Sequence, residues 1–279
     1  MSDNLRLIAI NEFDSATVAV SPAAASGLPI TNLQDSKRAR VWRSTSTADQ
    51  VITGNFSGAV PVDGLVLWRH NLSGAGTWQV ELFSSDNQVN EIYDSGELAV
   101  YDILPLGELD FGADPLGLSV FSEWGWAYSV LWLPELKMPR SYRITLSDAD
   151  NADGYLQASR LVIGRGMQPE YNASWGGSLA WVDESKHQRM AGGSLHVEQV
   201  EVYRELEISL DWLTDVDRRR LTEAQRRSGK RGEVFISLYP GAGGAKERDH
   251  SLVGRMATTN PFSVDNQLFH SHSLRVVEG

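Results

Sequence analysis

Hydrophobic and polar residues alternate along much of the chain with the two-residue period of β-strands. The alternation is clear in WQVELF (78–83) and YRITL (142–146), while residues 62–68 are more continuously apolar. Pro, Gly, Asn and Asp separate these short apolar segments, as they do in antiparallel β-sandwiches. The pattern therefore predicts a mainly-β protein whose first part is a sandwich of short strands.

A change of pattern close to residue 166 predicts a boundary between two domains. A strand predicted over 155–164 is soon followed by a glycine and a proline, which end strands. We expect residues 1–166 to form a β-sandwich domain and residues 167–279 to form a second, β-rich domain.

The second domain has the pattern of several strands and one helix. Long strands are predicted on both sides of QRMAGG (188–193), and further strands at 232–240 and near 267–277. The glycine-rich segment 241–249 lacks the residue order of a phosphate loop, so it predicts a hairpin or an inter-strand turn.

A helix is predicted over 214–228. Thr214 is a suitable N-cap residue, and acidic residues follow it in the first turn. Arg226 and Arg227 lie in the last turn, where they complement the helix dipole, and Gly229 suits the left-handed residue that ends many helices.

Charge and composition narrow the function classes. The 279-residue chain has a formal net charge of −11 and no cysteine. Nucleic acid is not an expected partner, because phosphate contacts need Lys and Arg, and neither disulfides nor cysteine-based zinc sites are available. The N-terminus lacks the apolar core of a signal peptide, and no apolar run is long enough to cross a bilayer. We expect a protein made in the cytoplasm without membrane insertion.

Trp68, Arg69 and His70 form the first candidate site, at the end of a predicted strand. A catalytic histidine needs an orienting acid and a nucleophile, and none occurs at a recognisable spacing. A hydrogen bond at a strand end is favoured for His70, and contact of all three residues with a glycan is the alternative.

The loop-like segment 104–128 ends in an aromatic run that continues to Trp132. Its members fit either a core or subunit interface, which is favoured, or a platform on which a sugar ring stacks. Trp126 is the candidate glycan contact in this run. The aromatic residues are Phe121, Trp124, Trp126, Tyr128 and Trp132.

Seven positive and three negative side chains between residues 215 and 231 give this segment a local charge of +4 in an acidic chain. A solvated helix face is one interpretation, and contact with an acidic neighbour, another copy of the chain included, is the other. Opposite charge patches on one molecule favour head-to-tail rings. The candidate inter-subunit contacts are Arg218, Arg219, Arg220, Arg226 and Arg227.

Two sequence patterns resemble metal sites, but neither supplies a full set of ligands. Asp148, Asp150 and Asp153 precede a glycine, but the later positions of a calcium loop are not filled by ligands. His270 and His272 share one face of a strand without an acidic third ligand nearby in sequence. No metal or cofactor site is assigned.

No nucleophile elbow, zinc-protease or dinucleotide motif is present. A glycan hydrolase with paired carboxylates stays open, because such pairs are set by spatial separation. Glu123 with Asp102 or Asp110 would be the first pair to examine. We assign no catalytic residue and expect the protein not to be an enzyme.

Several segments resemble distal tail or baseplate proteins of long-tailed bacteriophages and prophages. The resemblance lies in patterns of strands and turns over nearly the whole chain. They include NLQDSKRARVWRS (32–44), VDGLVLWRHNLS (62–73), DGYLQASRLVIGRGMQPEYN (153–172), GEVFISLYP (232–240) and LVGRMATTNPFSV (252–264).

The resemblance implies an N-terminal discoidin-like or galactose-binding-like jelly roll followed by a ring-forming domain. It also implies a structural virion protein of the tail tip, whose copies form a ring that joins the tail tube to baseplate hub or receptor-binding components. A carbohydrate-binding adhesion module that contacts host surface glycans is the alternative. The number of subunits in such a ring does not follow from the sequence.

Overall fold

The protein is built mainly from antiparallel β-sheets that stack in layers. The structure, a computed structural model, describes residues 4–122, 124–264 and 269–279. Two short 3-10 helices, Glu12–Ser15 and Ile30–Gln34, lie in the first part. The strands of this part are β1 (Arg6–Ile8), β2 (Ala19–Ser21), β3 (Trp42–Arg43), β4 (Gln50–Asn55), β5 (Val62–His70), β6 (Thr77–Phe83), β7 (Glu91–Asp94), β8 (Leu98–Ala99), β9 (Ala127–Lys137), β10 (Ser141–Ser147) and β11 (Gln157–Gly164).

The second part adds further strands and two helices. They are β12 (Gly166–Met167), β13 (Ser178–Val182), β14 (Lys186–Arg189), β15 (Leu195–Glu198), β16 (Tyr203–Leu213), α1 (Asp215–Ser228), β17 (Glu233–Ser237), α2 (Gly244–Asp249), β18 (Ser251–Met256), β19 (Ser263–Val264) and β20 (His270–Glu278).

Two of the sheets form the predicted jelly-roll sandwich. One sheet has the order β2-β4-β10-β6-β7, with β8 also paired to β6, and the other has the order β3-β11-β5-β9. Large side chains such as Trp42, Trp78 and Tyr142 fill the space between them and are fully buried. The mainly-β class and the N-terminal sandwich predicted from the sequence are confirmed.

A third sheet, with the order β12-β1-β17-β18-β20-β16-β13, covers the outer face of the sandwich. Its strand β1 comes from the N-terminus: Leu7 pairs with Met167 on one side and with Ile236 on the other. The N-terminal strand therefore belongs to the sheet of the second domain, which differs from the predicted first domain of residues 1–166. The three-residue strand RLI is too short to show an alternation that sequence reasoning can use.

Strand β5 explains how the layers stack. Leu65 and Leu67 point into the core of the sandwich, while Val66 and Trp68 point toward the third sheet. A strand that is buried on both faces needs a continuous apolar run rather than alternation. The unbroken run at residues 62–68 is therefore the sequence signature of a middle layer.

The helix α1 begins and ends within one residue of the prediction. The Thr214 side chain accepts a hydrogen bond from the backbone N–H of Asp217 at 3.3 Å, and Gly229 has φ of +51°. These are the N-cap and the left-handed terminus that the sequence predicts.

Other elements of the second domain differ from the prediction. Residues 241–249 contain the short helix α2 instead of a simple turn, and the predicted long strands around residues 188–193 are interrupted. The last strand is His270–Glu278, and residues 267–268 of its predicted range lie outside the described residues. None of the described helices combines the length and the apolar character needed to span a bilayer.

Candidate functional site

Trp68 lies at the junction of the two domains. Its side chain is 3% exposed and stacks on Tyr128 of the neighbouring strand β9, with ring centroids 4.8 Å apart. On its other side it meets Phe235 of β17 edge-on at 6.3 Å. A sugar ring has no access to either face of this indole.

Arg69 occupies an irregularity in the pairing of β5 with β9, where its backbone has φ of +52°. Its guanidinium lies 4.3 Å from the centre of the Trp126 ring and 3.5 Å from the carboxylate of Glu278 on β20. Burial, together with the nearby charge of Arg38, lowers the pKa of Arg69 to about 10, against the opposing effect of Glu278. Arg69 is thus a contact between domains.

His70 is a fixed hydrogen-bond link. Its Nδ1 accepts from the backbone N–H of Leu72 at 3.2 Å, so the proton is on Nε2, which donates to the Ser129 hydroxyl at 2.8 Å. Burial lowers the pKa of His70 to about 3, which keeps the ring neutral. Both ring nitrogens of His70 are thus engaged by groups of the fold, the Leu72 backbone and the Ser129 side chain.

The aromatic run packs against arginines at the same junction. The fully buried Arg204 of β16 lies 4.8 Å from the ring centre of Trp124 and 5.8 Å from that of Trp181. Its Nε donates to Glu278 at 3.0 Å, and a hydrogen bond from Arg204 holds the pKa of Glu278 below its ordinary value although burial acts in the opposite direction. Stacked guanidiniums and indoles of this kind are cation–π contacts.

A second ion cluster fixes the other side of the junction. Arg160 of β11 is 5% exposed and donates to Glu233 of β17 at 2.7 Å and to Asp14 at 2.8 Å. Breaking one member of such a buried cluster would leave an uncompensated charge. The two domains are therefore held as one unit by apolar contacts and buried ion pairs.

These positions correct the prediction that Trp68, Arg69, His70 and Trp126 contact a glycan. Trp68 and His70 are buried, and Arg69 and Trp126 are engaged with each other and with the second domain. The cluster is the seam between two domains and not the rim of a sheet. Sequence could not reveal this, because the partner Glu278 lies at the other end of the chain.

The strands β14 and β15 form a hairpin that stands apart from the rest of the molecule. They pair only with each other among the described strands, and every residue from 186 to 202 is exposed. We call residues 183–202 the arm, and at its base Glu201 forms ion pairs with Arg38 and Arg69 of the sandwich. An isolated two-stranded hairpin is at best marginally stable in water, so such an arm needs a partner.

One face of the arm combines apolar and basic side chains. Pairing of His187 with Val197 and of Arg189 with Leu195 places these four side chains on the same side. Leu195 is 54% exposed and Val197 is 44% exposed. The opposite face carries Lys186, Gln188, His196 and Glu198. Uncovered apolar side chains on an exposed hairpin are typical of a protein interface.

The arginines of α1 lie mostly on an open surface. Arg219, Arg220, Arg226 and Arg227 are exposed, and Arg218 is partly so. Arg226 and Arg227 both pair with Glu223, at 2.7 and 2.6 Å. The paired arginines support the solvated-face interpretation for the end of the helix, while Arg219 and Arg220 have weaker internal contacts.

Trp175 is the most accessible aromatic residue beside a depression. Its ring is fully exposed at the rim of a space of about 490 Å³, whose lining includes Asn172, Tyr239 and His250. Exposed aromatic faces beside polar side chains suit the apolar face and the hydroxyls of a sugar. Its neighbours in the chain, ASWGG, gave no recognisable motif.

The side chains of the two suspected metal sites form hydrogen bonds within the chain instead. Asp148 accepts from the backbone and the hydroxyl of Ser73 at 2.7 and 2.8 Å, which closes a turn. His270 contacts Asp215 at 3.1 Å, and His272 contacts Gln225 at the same distance. Among the described residues, no cluster of three or more His, Asp or Glu side chains is arranged to hold a metal ion.

The carboxylates considered for hydrolysis are only partly described, because Glu123 lies outside the described residues. Asp102 and Asp110 are both exposed in the long loop that precedes the aromatic run.

Compared with known proteins, the chain matches no family model and no curated protein. Similar solved structures include a chitosan-binding module from a Paenibacillus sp. chitosanase/glucanase, with 10% identity and a TM-score of 0.38 over 56% of this chain and 99% of that one. The family 32 carbohydrate-binding module of Clostridium perfringens NanJ, in complex with galactose, has 10% identity and a TM-score of 0.38 over 58% and 99%.

A third similar structure, a Ruminococcus gnavus GH29 fucosidase, has 13% identity and a TM-score of 0.39 over 57% of this chain. The matched part is only 27% of the fucosidase chain. A shared fold at such identities does not imply a shared ligand.

Proposed function

We propose that the protein is an architectural subunit whose copies assemble through the arm. The observation that carries this proposal is an exposed hairpin whose apolar side chains Leu195 and Val197 are uncovered and whose strands pair with no other described strand. The domain seam adds support, because a subunit that bears load needs its two domains held rigidly. The role proposed is structural and not catalytic.

The sequence resemblance suggests the particle to which such a subunit would belong. Distal tail and baseplate proteins of long-tailed phages assemble as rings between the tail tube and the hub. We therefore propose a place in the virion tail tip, with further copies of the chain, tail tube and hub proteins as partners.

The test compares the mass of the unmodified chain in solution with that of an arm variant, Leu195→Glu/Val197→Glu. Light scattering over a range of concentrations should show a discrete oligomer for the first and a monomer for the second, because carboxylates in place of Leu195 and Val197 resist burial in an interface. The matched control, Gln188→Glu/His196→Glu, adds the same charges to the opposite face and should assemble normally. A chain that stays monomeric at every concentration would contradict the proposal.

Glycan binding is the second candidate, and the exposed ring of Trp175 favours it. The candidate surface moves from Trp68 to the depression near Tyr239 and His250. A glycan array with the unmodified chain should then show saturable binding that Trp175→Ala removes. Trp212→Ala, which alters another exposed indole away from the depression, is the control. Absence of binding to any glycan would exclude this candidate.

A further inference from the structure

A groove with an apolar floor runs between α1 and the strands that join the two domains. It encloses about 410 Å³, and Leu7, Ala9 and Met167 form part of its floor. Ala224 of α1 and Pro61, which precedes β5, complete the apolar surface. We call this space the α1 groove.

Arginines give the α1 groove a positive rim. Four arginines and two glutamates line it, which gives a net charge of +2. Arg165 and Arg219 have no carboxylate within 4.0 Å among the described residues, and Arg220 has only Asp217 at 3.9 Å. These three guanidiniums are available to an acidic ligand.

The long loop at residues 102–118 has the complementary character. It contains four carboxylates and no Lys or Arg. None of these carboxylates forms an ion pair with a described residue. We call this segment the acidic loop.

Large apolar side chains of the acidic loop are also exposed to solvent. Phe111 is fully exposed, and Leu106 and Leu116 are 78% and 83% exposed. The base of the loop is closed by a bridge between Ile103 and Ser119. Exposed apolar groups interspersed with carboxylates match an apolar floor with an arginine rim.

The acidic loop cannot fill the groove of its own molecule. Pro61 of the groove precedes the first residue of β5, whereas Tyr101, at the start of the loop, stacks on His70 at the last residue of β5. A nine-residue strand separates these ends by roughly 26 Å at the usual rise per residue. Glu108 also accepts a hydrogen bond from the backbone of Ala245, which ties the loop to the far end.

We infer that the acidic loop of one copy docks in the α1 groove of the next copy. This inference rests on the proposed function and specifies a contact distinct from the arm. Because the two surfaces differ and lie near opposite ends of β5, the contact is heterologous, and repeated contacts of this kind form rings or filaments.

The experiment measures self-association of the full chain by sedimentation velocity at low salt. Asp110→Lys and Phe111→Ser change exposed side chains of the acidic loop, and Arg219→Glu changes the groove. Each should weaken association roughly 10-fold, and the double variant Asp110→Lys/Arg219→Glu should associate more tightly than either charge variant alone. Added salt should weaken the contact further.

Matched controls carry the same charge changes outside both surfaces. Glu97→Lys and Lys230→Glu alter exposed residues and should leave association unchanged. If the unmodified chain assembles and the loop and groove variants assemble equally well, the docking inference is wrong while the proposed function stands. If the unmodified chain never assembles, both are wrong.

Discussion

The domain seam and the arm are two β-strand regions with opposite environments. At the seam, β5 is buried on both faces, and its side chains contact the sandwich core on one side and the third sheet on the other. In the arm, β14 and β15 are exposed on both faces. Both regions contain apolar residues, but only the seam has covered them within the chain.

The difference separates apolar residues that stabilise the fold of a single chain from apolar residues that are available to other molecules. Buried ion pairs such as Arg204–Glu278 are confined to the seam, where they are fixed by stacked aromatic rings. Among the described residues, the ion pairs that tie the arm to the sandwich lie at its base, where the exposed Glu201 pairs with Arg38 and Arg69. Changes at the seam should therefore alter the stability of the monomer, and changes in the arm should alter association alone.

The largest expected effect is that of Trp68→Ala. Removing a buried indole that contacts Tyr128 and Phe235 should lower the free energy of unfolding by about 3–5 kcal/mol. Urea denaturation followed by circular dichroism measures this. A loss below about 1 kcal/mol would mean that the seam is not a tightly packed junction.

Replacement of Glu278 by Gln should have the second-largest effect on the free energy of unfolding. Loss of the buried charge leaves Arg204 without its carboxylate and leaves Arg69 with Glu201 at 3.9 Å, which should cost about 3 kcal/mol at neutral pH. The pKa of Glu278 is lowered from 4.5 in the folded protein. Its charged form therefore stabilises the fold above that pH, and the contribution is lost as the pH falls through the lowered pKa.

The difference in unfolding free energy between Glu278→Gln and the unmodified chain should thus shrink on acidification. Glu205→Gln, which removes a more exposed partner of Arg275, should cost less than about 1 kcal/mol. A Glu278→Gln penalty that is equal at pH 7 and pH 3 would show that the carboxylate charge contributes nothing.

The arm variant Leu195→Glu/Val197→Glu should leave the monomer intact. Both side chains are exposed, so the unfolding free energy of the monomer should change by less than about 0.5 kcal/mol while assembly is lost. Denaturation at a concentration below the assembly range isolates this quantity. A large drop in stability would mean that the arm folds back on its own chain.

The smallest effect is expected for Trp175→Ala. Its ring is fully exposed, so thermal unfolding should be unchanged within about 1 °C. Comparison with Trp68→Ala uses the same substitution in two environments. Similar destabilisation by both would contradict the contrast between buried and exposed indoles.

Local signals in the sequence were sufficient to predict the fold class and the helix α1. Thr214 and Gly229 mark the ends of that helix, and the apolar run at residues 62–68 reports a strand buried on both faces. Each depends on neighbouring residues only. These signals can therefore be recognised without knowledge of the tertiary structure.

The seam and the arm could not be predicted in the same way. His70 bonds to Ser129, 59 residues away, and Arg204 bonds to Glu278, 74 residues away, so no local spacing reports these contacts. The alternation of Leu195 and Val197 predicts a strand but does not tell whether another element covers it. Exposure is a property of the assembled molecule and is visible only in the structure.

Hydrogen exchange of the arm amides at increasing protein concentration tests the central claim most directly. An isolated hairpin exchanges rapidly, whereas one buried between copies is protected. We expect residues 186–198 to be unprotected in the dilute chain and to gain protection as the oligomer forms, while the amides of β5 stay protected throughout. Rapid exchange in the arm at every concentration would contradict its role in assembly.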